Sequence, residues 1–108
     1  MPRDDDSLVA DMLEIAERAL RLLGSSTRTQ FEGDEKLQLA LVHLIQQIGE
    51  AASRVSDSRR KIMPSVAWRQ IIGMRHRLVH EYHNVDLDVV WQVAAGDLPT
   101  LIDALRNP

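Results

Sequence analysis

Between residues 37 and 55 the apolar side chains recur at alternating steps of four and three residues, and an α-helix places such residues on one continuous face. The seam consists of Leu37, Leu41, Leu44, Ile48, Ala51 and Val55. Asp34 precedes it and is a suitable N-cap. We therefore predict a long helix over about residues 34–55. Because the seam lasts under three heptads, it is typical of an intramolecular core rather than a coiled coil.

The residues before this helix carry a second apolar stripe at helical spacing. It predicts a first helix over about residues 6–23. Acidic residues stand at its start, where they complement the partial positive charge of a helix N-terminus. Gly24 and the polar residues that follow it are expected to end the helix.

The second half of the chain predicts further helices. Pro64 is suited to the first turn of a third helix that runs to about residue 81. Asp86 can cap a fourth, and residues 97–105 form either a fifth helix or a kinked extension of the fourth, since Pro99 stands near their start. Strand signals are nearly absent. The predicted fold is therefore all-α, an antiparallel bundle of four to five helices with short loops.

Length and composition restrict the kinds of protein this chain can be. Its 108 residues suit a single domain spanning residues 1–108. Cysteine is absent, which excludes a disulfide framework and thiolate metal ligands. The N-terminus is charged where a signal peptide requires an apolar run, and no stretch approaches the roughly 20 apolar residues of a membrane helix. We expect a soluble cytoplasmic protein with no membrane partner.

The net charge of −3 conceals an uneven distribution of charge. Residues 51–80 contain seven Lys and Arg against one Asp, whereas residues 1–50 contain five basic and ten acidic residues. Residues 81–108 are again acidic, with five acids and one arginine. A basic middle between acidic ends is the local footprint expected of a site for an anionic ligand, although a solvated helix end would have the same composition.

The basic region ends in the stretch RHRLVHEYH, residues 75–83. On a continuous helix with about 100° per residue, Arg75 falls on the apolar face with Trp68, Ile72 and Val79. His80 lies about 140° away from Arg75 on the same wheel. If the two act together, either the helix end unwinds or a second chain supplies one of them. This geometry favours a dimeric site near the motif helix.

One interpretation of the stretch is structural. Arg75 would form an ion pair, with Glu50 or Asp86 as candidate partners, because an unpaired charge on an apolar face is costly. The histidines would then be ordinary surface residues.

A second interpretation is a metal site. His76 and His80 share a helix face at i, i+4, and His83 or Glu81 are candidates for a third ligand. Two histidines at this spacing are a weak signal, and the glutamate of the HExxH motif is missing from HRLVH.

The third interpretation is metal-independent cleavage of RNA. A histidine that titrates near neutral pH can take the proton from a ribose 2′-OH and help to protonate the leaving oxygen. An arginine can hold the scissile phosphate and offset the charge that builds on it. DNA lacks the 2′-OH and would be spared. The residues expected to hold flanking phosphates are Arg54, Arg59, Arg60 and Lys61.

Several motifs together resemble the HepT-type toxins of the HEPN superfamily. They are Arg75-x4-His80-x-Tyr82, the IGEAA run of the long helix, W-x2-I-x-G-M before the arginine, and the later VDLDVVW and DLPTLI segments. The resemblance covers nearly the whole chain. It implies an all-α homodimer whose two motif copies meet at a shared cleft. It also implies ribonuclease activity in a toxin–antitoxin pair, without a metal or other cofactor.

The resemblance also implies roles for individual residues. Arg75 and His80 match the catalytic arginine and histidine, while His76 and Arg77 are auxiliary. His76 stands where the family usually has asparagine. Tyr82 matches the tyrosine that a minimal nucleotidyltransferase antitoxin, MntA, modifies with AMP. Glu81 stands where a small residue is common, and its charge is expected to weaken RNA binding or to raise the pKa of His80.

The sequence leaves two functions open. The first is a ribonuclease toxin acting on transfer or messenger RNA and regulated by AMP transfer to Tyr82. The alternative is an inactive binding partner of a minimal nucleotidyltransferase, which the acidic ends and Glu81 favour slightly. Of the other conspicuous residues, Trp68 and Trp91 are predicted to be core anchors rather than platforms for bases, and His43 to be a satisfied or solvent-facing residue rather than a ligand.

Overall fold

Two long antiparallel helices form the centre of the fold. The computed structural model describes residues 4–78 and 84–108, with Arg75 described by its backbone alone. Helix α1 spans Asp5–Leu23 and helix α3 spans Glu35–Arg54. Asp4 and Asp34 cap them, each carboxylate accepting a hydrogen bond from the backbone N–H three residues later. The predicted first and second helices are therefore confirmed to within about one residue.

Helix α3 is flanked by two single-turn helices, and neither was predicted from the sequence. Helix α2, Arg28–Glu32, begins at a capping box in which Thr27 and Gln30 satisfy each other's backbone N–H groups. Helix α4, Asp57–Lys61, is capped by the Ser56 hydroxyl. The sequences TRTQ and SDSR carry these N-cap signals, but each helix is too short to show apolar periodicity.

The motif segment is not the single helix predicted from residue 64. Helix α5 spans Trp68–Ile72 and helix α6 spans Met74–Leu78, with a turn at Gly73 between them. Residues 63–67 form turns instead of a first helical turn, because the side chains of Met63 and Val66 are buried in the core. The wheel that assumed one continuous helix is therefore wrong across Gly73. The predicted end near residue 81 lies outside the described residues.

The C-terminal arm is one helical rod with a local widening. Helix α7, Leu87–Gln92, is capped by Asp86 and passes into a π-helical turn, Val93–Asp97, and then into helix α8, Leu98–Arg106. Pro99 has no N–H to donate to the carbonyl four residues earlier, and the π-helical turn lies directly before it. Of the two predicted alternatives, the structure agrees with the one in which residues 97–105 extend the preceding helix, and the irregularity before Pro99 is a π-helical turn.

The helices pack around one apolar cluster. In α1, α3, α5, α6, α7 and α8 the buried residues are apolar, and no polar or charged side chain in the described part of the chain is buried. Trp68 and Trp91 pack against this cluster as predicted. Trp91 lies 5.5 Å from Phe31, centroid to centroid, and so joins α2 to the C-terminal arm. The all-α bundle is confirmed. Among the described helices, none has both the length and the apolarity to cross a membrane.

Candidate active site

The motif residues fall on α6 and on the segment that follows it. Arg75 is the second residue of α6 and has a helical backbone. Its side chain lies outside what the structure describes, as do His80 and Tyr82. The proposed ion pairs of Arg75 and the remaining metal-ligand candidates, Glu81 and His83, fall outside the described residues as well.

Helix α6 is held at both ends by contacts that do not involve the motif side chains. Met74 and Leu78 are buried in the core. The carbonyl of Leu78 accepts a hydrogen bond of 2.9 Å from the backbone N–H of Asp86. This bond joins the chain before and after residues 79–85, so the points at which that segment leaves α6 and enters α7 are held together.

Helix α5 lies against α3 at a glycine. A Cβ atom placed on Gly49 would lie 3.2 Å from the carbonyl oxygen of Ile71 and 3.8 Å from that of Ile72. Cβ atoms in protein structures rarely lie as close as 3.2 Å to a non-bonded heavy atom. Gly49 is the glycine of the IGEAA run, and its lack of a side chain allows the motif segment to approach the long helix closely.

A polar groove lies between α3 and α6. One of its lining residues, His76, directly follows Arg75 in the sequence. Its lining residues are Gln46, Gly49, Glu50, Ser53, Ile72 and His76, and its volume is about 170 Å³. We call this the α3–α6 groove. His76 is therefore on the groove side of α6 and is exposed. Gln46 and Ser53 could not be assigned to the site from the sequence, because their place in the groove depends on how α3 packs against α6.

Arg77 faces a different depression from His76. It is exposed and lines the space between the motif segment and α8, together with Gln70, Met74, Asp97 and Thr100. The two auxiliary candidates therefore lie on different sides of α6. Within the described ranges, no group of three His, Cys, Asp or Glu residues has the arrangement of a metal site.

The four basic residues predicted to follow the RNA backbone have different surroundings. Arg59 donates to Asp6 at 2.6 Å and lies 3.4 Å from the sulfur of Met63. The Arg60 guanidinium donates through Nη2 to the carbonyls of Ala52 and Ser53, at 3.1 and 3.2 Å. These two side chains are only about one quarter exposed, at 26% and 25%.

Arg54 and Lys61 remain directed to solvent. Arg54 is 66% exposed and forms a long ion pair of 3.8 Å with Glu50. Lys61 is exposed at the end of α4. Of the predicted basic edge, these two side chains are the more accessible to a nucleic acid, whereas Arg59 and Arg60 anchor α4 to its neighbours.

The remaining contacts of α4 also involve the start of α1. The Asp5 carboxylate accepts hydrogen bonds from the Ser56 hydroxyl at 2.6 Å and from the Ser56 backbone N–H at 3.0 Å. These bonds, with a smaller contribution from the positive charge of Arg59, lower the pKa of Asp5 below its usual value. His43, by contrast, is exposed in the middle of α3, in agreement with its predicted solvent-facing role.

Comparison with known proteins gives a consistent set of relatives. Residues 12–107 match the family model described as "Ribonuclease HepT-like". "Probable ribonuclease HepT" of Thermococcus cleftensis is 33% identical over 95 residues, which cover 84% of this chain and 86% of that protein. "Putative RNase MJ1380" of Methanocaldococcus jannaschii is 25% identical over 99 residues, covering 92% and 91% of the two chains. No solved structure matches significantly.

Proposed function

Because this chain belongs to the HepT-like ribonuclease family, we propose that it is a metal-independent endoribonuclease in which Arg75 and His80 carry out cleavage. The observation that carries the proposal is the family match over residues 12–107, which includes the Arg75-x4-His80-x-Tyr82 motif. The ribonuclease names of relatives that align along most of the chain support it.

In the proposed reaction His80 takes the proton from a ribose 2′-OH, and the 2′-oxygen attacks the adjacent phosphorus. The bond from phosphorus to the 5′-oxygen breaks, and the leaving oxygen receives the proton that His80 took from the 2′-OH. The products are a 2′,3′-cyclic phosphate and a 5′-hydroxyl end. Arg75 holds the phosphate and offsets the negative charge that develops on its oxygens in the transition state.

We further propose that the enzyme is a homodimer with its two motif segments facing a shared cleft. His76 and Arg77 are exposed on different sides of α6. Their exposure supports this arrangement, because polar side chains on the surface of the motif helix are available to a cleft that a second chain completes. The hydrogen bond between Asp86 and Leu78 supports it as well, since it holds the start of α7 beside the end of the motif helix α6.

The biological role proposed for the enzyme is that of a toxin in a toxin–antitoxin pair. Its partner would be an MntA-type nucleotidyltransferase that transfers AMP to the hydroxyl of Tyr82. The adduct adds bulk and negative charge two residues from His80. RNA phosphates would then be excluded both sterically and by charge repulsion.

The decisive experiment is cleavage of end-labelled total RNA and transfer RNA in excess EDTA. Wild type is compared with His80→Ala and with the matched control His43→Ala, which removes an exposed imidazole from α3. Intact mass must first show that the protein carries no AMP. We expect the wild type and His43→Ala to cleave RNA and His80→Ala to lose activity, all three with the same oligomeric mass.

Two outcomes would contradict the proposal. Activity retained in His80→Ala would remove the histidine from the mechanism. Failure of unmodified, dimeric wild type to cut either RNA would favour the alternative, an inactive binding partner of a nucleotidyltransferase, and binding to such a partner would then be the next measurement.

A further inference from the structure

A short groove separates the motif segment from α8, on the side of α6 that carries Arg77. Its volume is about 120 Å³, and we call it the α6–α8 groove. Cavities of about 150 Å³ hold a benzene molecule, so this groove has room for one aliphatic side chain. Its apolar lining consists of Val66, Ile71, Met74, Leu101 and Ala104.

Ile62 is the most exposed large apolar residue in the described part of the chain. It follows α4 directly and is 70% exposed, compared with 53% for Leu39 and 47% for Leu22. Transfer of an aliphatic side chain from water to an apolar surface is favourable. Ile62 is therefore stabilised if an apolar recess on a second molecule receives it.

The exposed Ile62 and the groove lie next to each other. Met63 follows Ile62, and its carbonyl accepts a hydrogen bond of 3.2 Å from the N–H of Val66, which lines the groove. The ends of such a turn are less than about 7 Å apart, so the Cα atoms of Ile62 and Val66 lie within about 11 Å of each other. A two-fold axis beside a protrusion and a neighbouring recess makes the same contact twice, once in each direction. Leu22 and Leu39 lie on helices that contribute no residue to the groove.

The charges beside the two features are complementary. Asp97 lines the groove from the end of the π-helical turn, and its half-buried carboxylate has no hydrogen bond or ion pair within the described part of the chain. Lys61 precedes Ile62, is exposed and likewise has no such partner there. Arg77 lines the groove from α6 and repels a lysine, so Lys61 is directed toward Asp97. An exposed pair of this kind fixes the orientation of a contact more than its strength, which comes from Ile62.

We propose that Ile62 of each protomer occupies the α6–α8 groove of the other and that this surface is the interface of a symmetric homodimer. Because Arg77 of α6 lines the groove, the contact brings the motif helix of each protomer to the interface. It also places Lys61 of one protomer near the motif helix of the other. This inference rests on the proposed homodimer and assigns the surface through which it forms.

The first test measures dissociation of the dimer by analytical ultracentrifugation over a range of concentrations. Full-length wild type is compared with Ile62→Glu and with the control Leu39→Glu, which replaces an exposed apolar side chain of α3. We expect the dissociation constant to rise at least about hundredfold in Ile62→Glu, since the symmetric contact loses two isoleucines and must bury two carboxylates. In Leu39→Glu it should stay within about threefold of the wild-type value. An unchanged dimer in Ile62→Glu, or equal weakening in both variants, would overturn the inference.

The second test uses the absence of cysteine from the chain. Thr100 is exposed and lines the groove, so Ile62→Cys combined with Thr100→Cys places a thiol on each side of the proposed contact. Mild oxidation is expected to give a covalent dimer on a non-reducing gel, because the contact brings the two thiols within bonding distance. Leu39→Cys combined with Thr100→Cys is the control and should stay monomeric on the gel. Equal dimer yields from the two double variants, or none from the first, would place Ile62 outside the groove.

The outcomes separate this inference from the proposed function. If the wild type is a dimer that Ile62→Glu does not weaken, the homodimer stands and its interface lies elsewhere. If the wild type is a monomer that cleaves RNA by way of His80, the interface and the homodimer are both wrong and the ribonuclease function stands. If the dimer depends on Ile62 but cleaves no RNA, the interface stands and the ribonuclease function is wrong.

Discussion

Gly49 of α3 lies so close to the carbonyl of Ile71 that a Cβ atom at residue 49 would be 3.2 Å from the Ile71 oxygen. The neighbouring atom belongs to a helix backbone, which cannot rotate away as a side chain can. The separation between the long helix and the motif segment is therefore set by the absence of one side chain. Because Gly49 also lines the α3–α6 groove, this separation determines the width of the groove as well.

Gly49→Ala is expected to displace the motif segment. Overpacking costs about 1–3 kcal/mol, and the higher helix propensity of alanine returns about 1 kcal/mol. The net effect is a loss of up to about 2 kcal/mol in the free energy of unfolding, measured by urea denaturation. Under the proposed function, cleavage falls about tenfold because the reacting groups are displaced.

Gly96→Ala is the control for Gly49→Ala, since a Cβ at residue 96 has no neighbour within 4 Å. It should leave stability unchanged or raise it slightly. If the two variants are equally stable, the close contact between Gly49 and Ile71 does not constrain the fold.

Arg60→Ala is expected to destabilise the protein. The Arg60 guanidinium caps the C-terminal carbonyls of α3 and lies over the Trp68 ring at 5.9 Å, so its loss removes both contacts. We expect a loss of about 1–3 kcal/mol. Thermal denaturation of Arg54→Ala provides the comparison, because the exposed pair of Arg54 with Glu50 contributes at most about 1 kcal/mol. Equal melting temperatures for the two variants would show that Arg60 does not act as a cap.

Combined replacement of Arg54 and Lys61 by alanine is expected to weaken RNA binding through charge. If both side chains contact phosphates, affinity for single-stranded RNA falls and its dependence on salt becomes shallower, by about 0.7 in log–log slope per lost contact. Fluorescence anisotropy at several salt concentrations measures both quantities. Alanines at Arg18 and Lys36 remove the same charge from exposed positions elsewhere, and a comparable loss in that variant would exclude a specific RNA-binding edge.

Asp5→Asn is expected to change the dependence of stability on pH. The pKa of Asp5 is lowered from 3.8 in the folded protein, chiefly by the Ser56 hydroxyl, so its carboxylate stabilises the fold above that pH. This contribution disappears as the pH falls through the lowered pKa. At neutral pH the wild type should therefore be more stable than Asp5→Asn, and the difference should shrink below about pH 3.8. Urea denaturation of both proteins between pH 2 and 7 measures it, and a constant difference would contradict the role of Asp5.

Local signals were sufficient to predict the long helices. The 4-3 seam after Asp34 and the stripe before Gly24 each contain several turns of apolar periodicity, and both ends of each helix carry residues suited to their positions. The motif segment was predicted less well, because its apolar spacing suits one continuous helix, whereas α5 ends at Gly73, a residue of low helix propensity. Ile71 and Met74 are both buried against the core on either side of Gly73.

The sequence by itself therefore determined the helical class, the two central helices and the resemblance to the HepT-like ribonuclease family, since these depend on the order of residues along the chain. The tertiary structure decided which side chains share a surface. It brought Gln46 beside His76, placed Arg60 over the end of α3 and tied Asp5 to Ser56. Such contacts join residues far apart in sequence, and only the burial of one common core sets the distances between them.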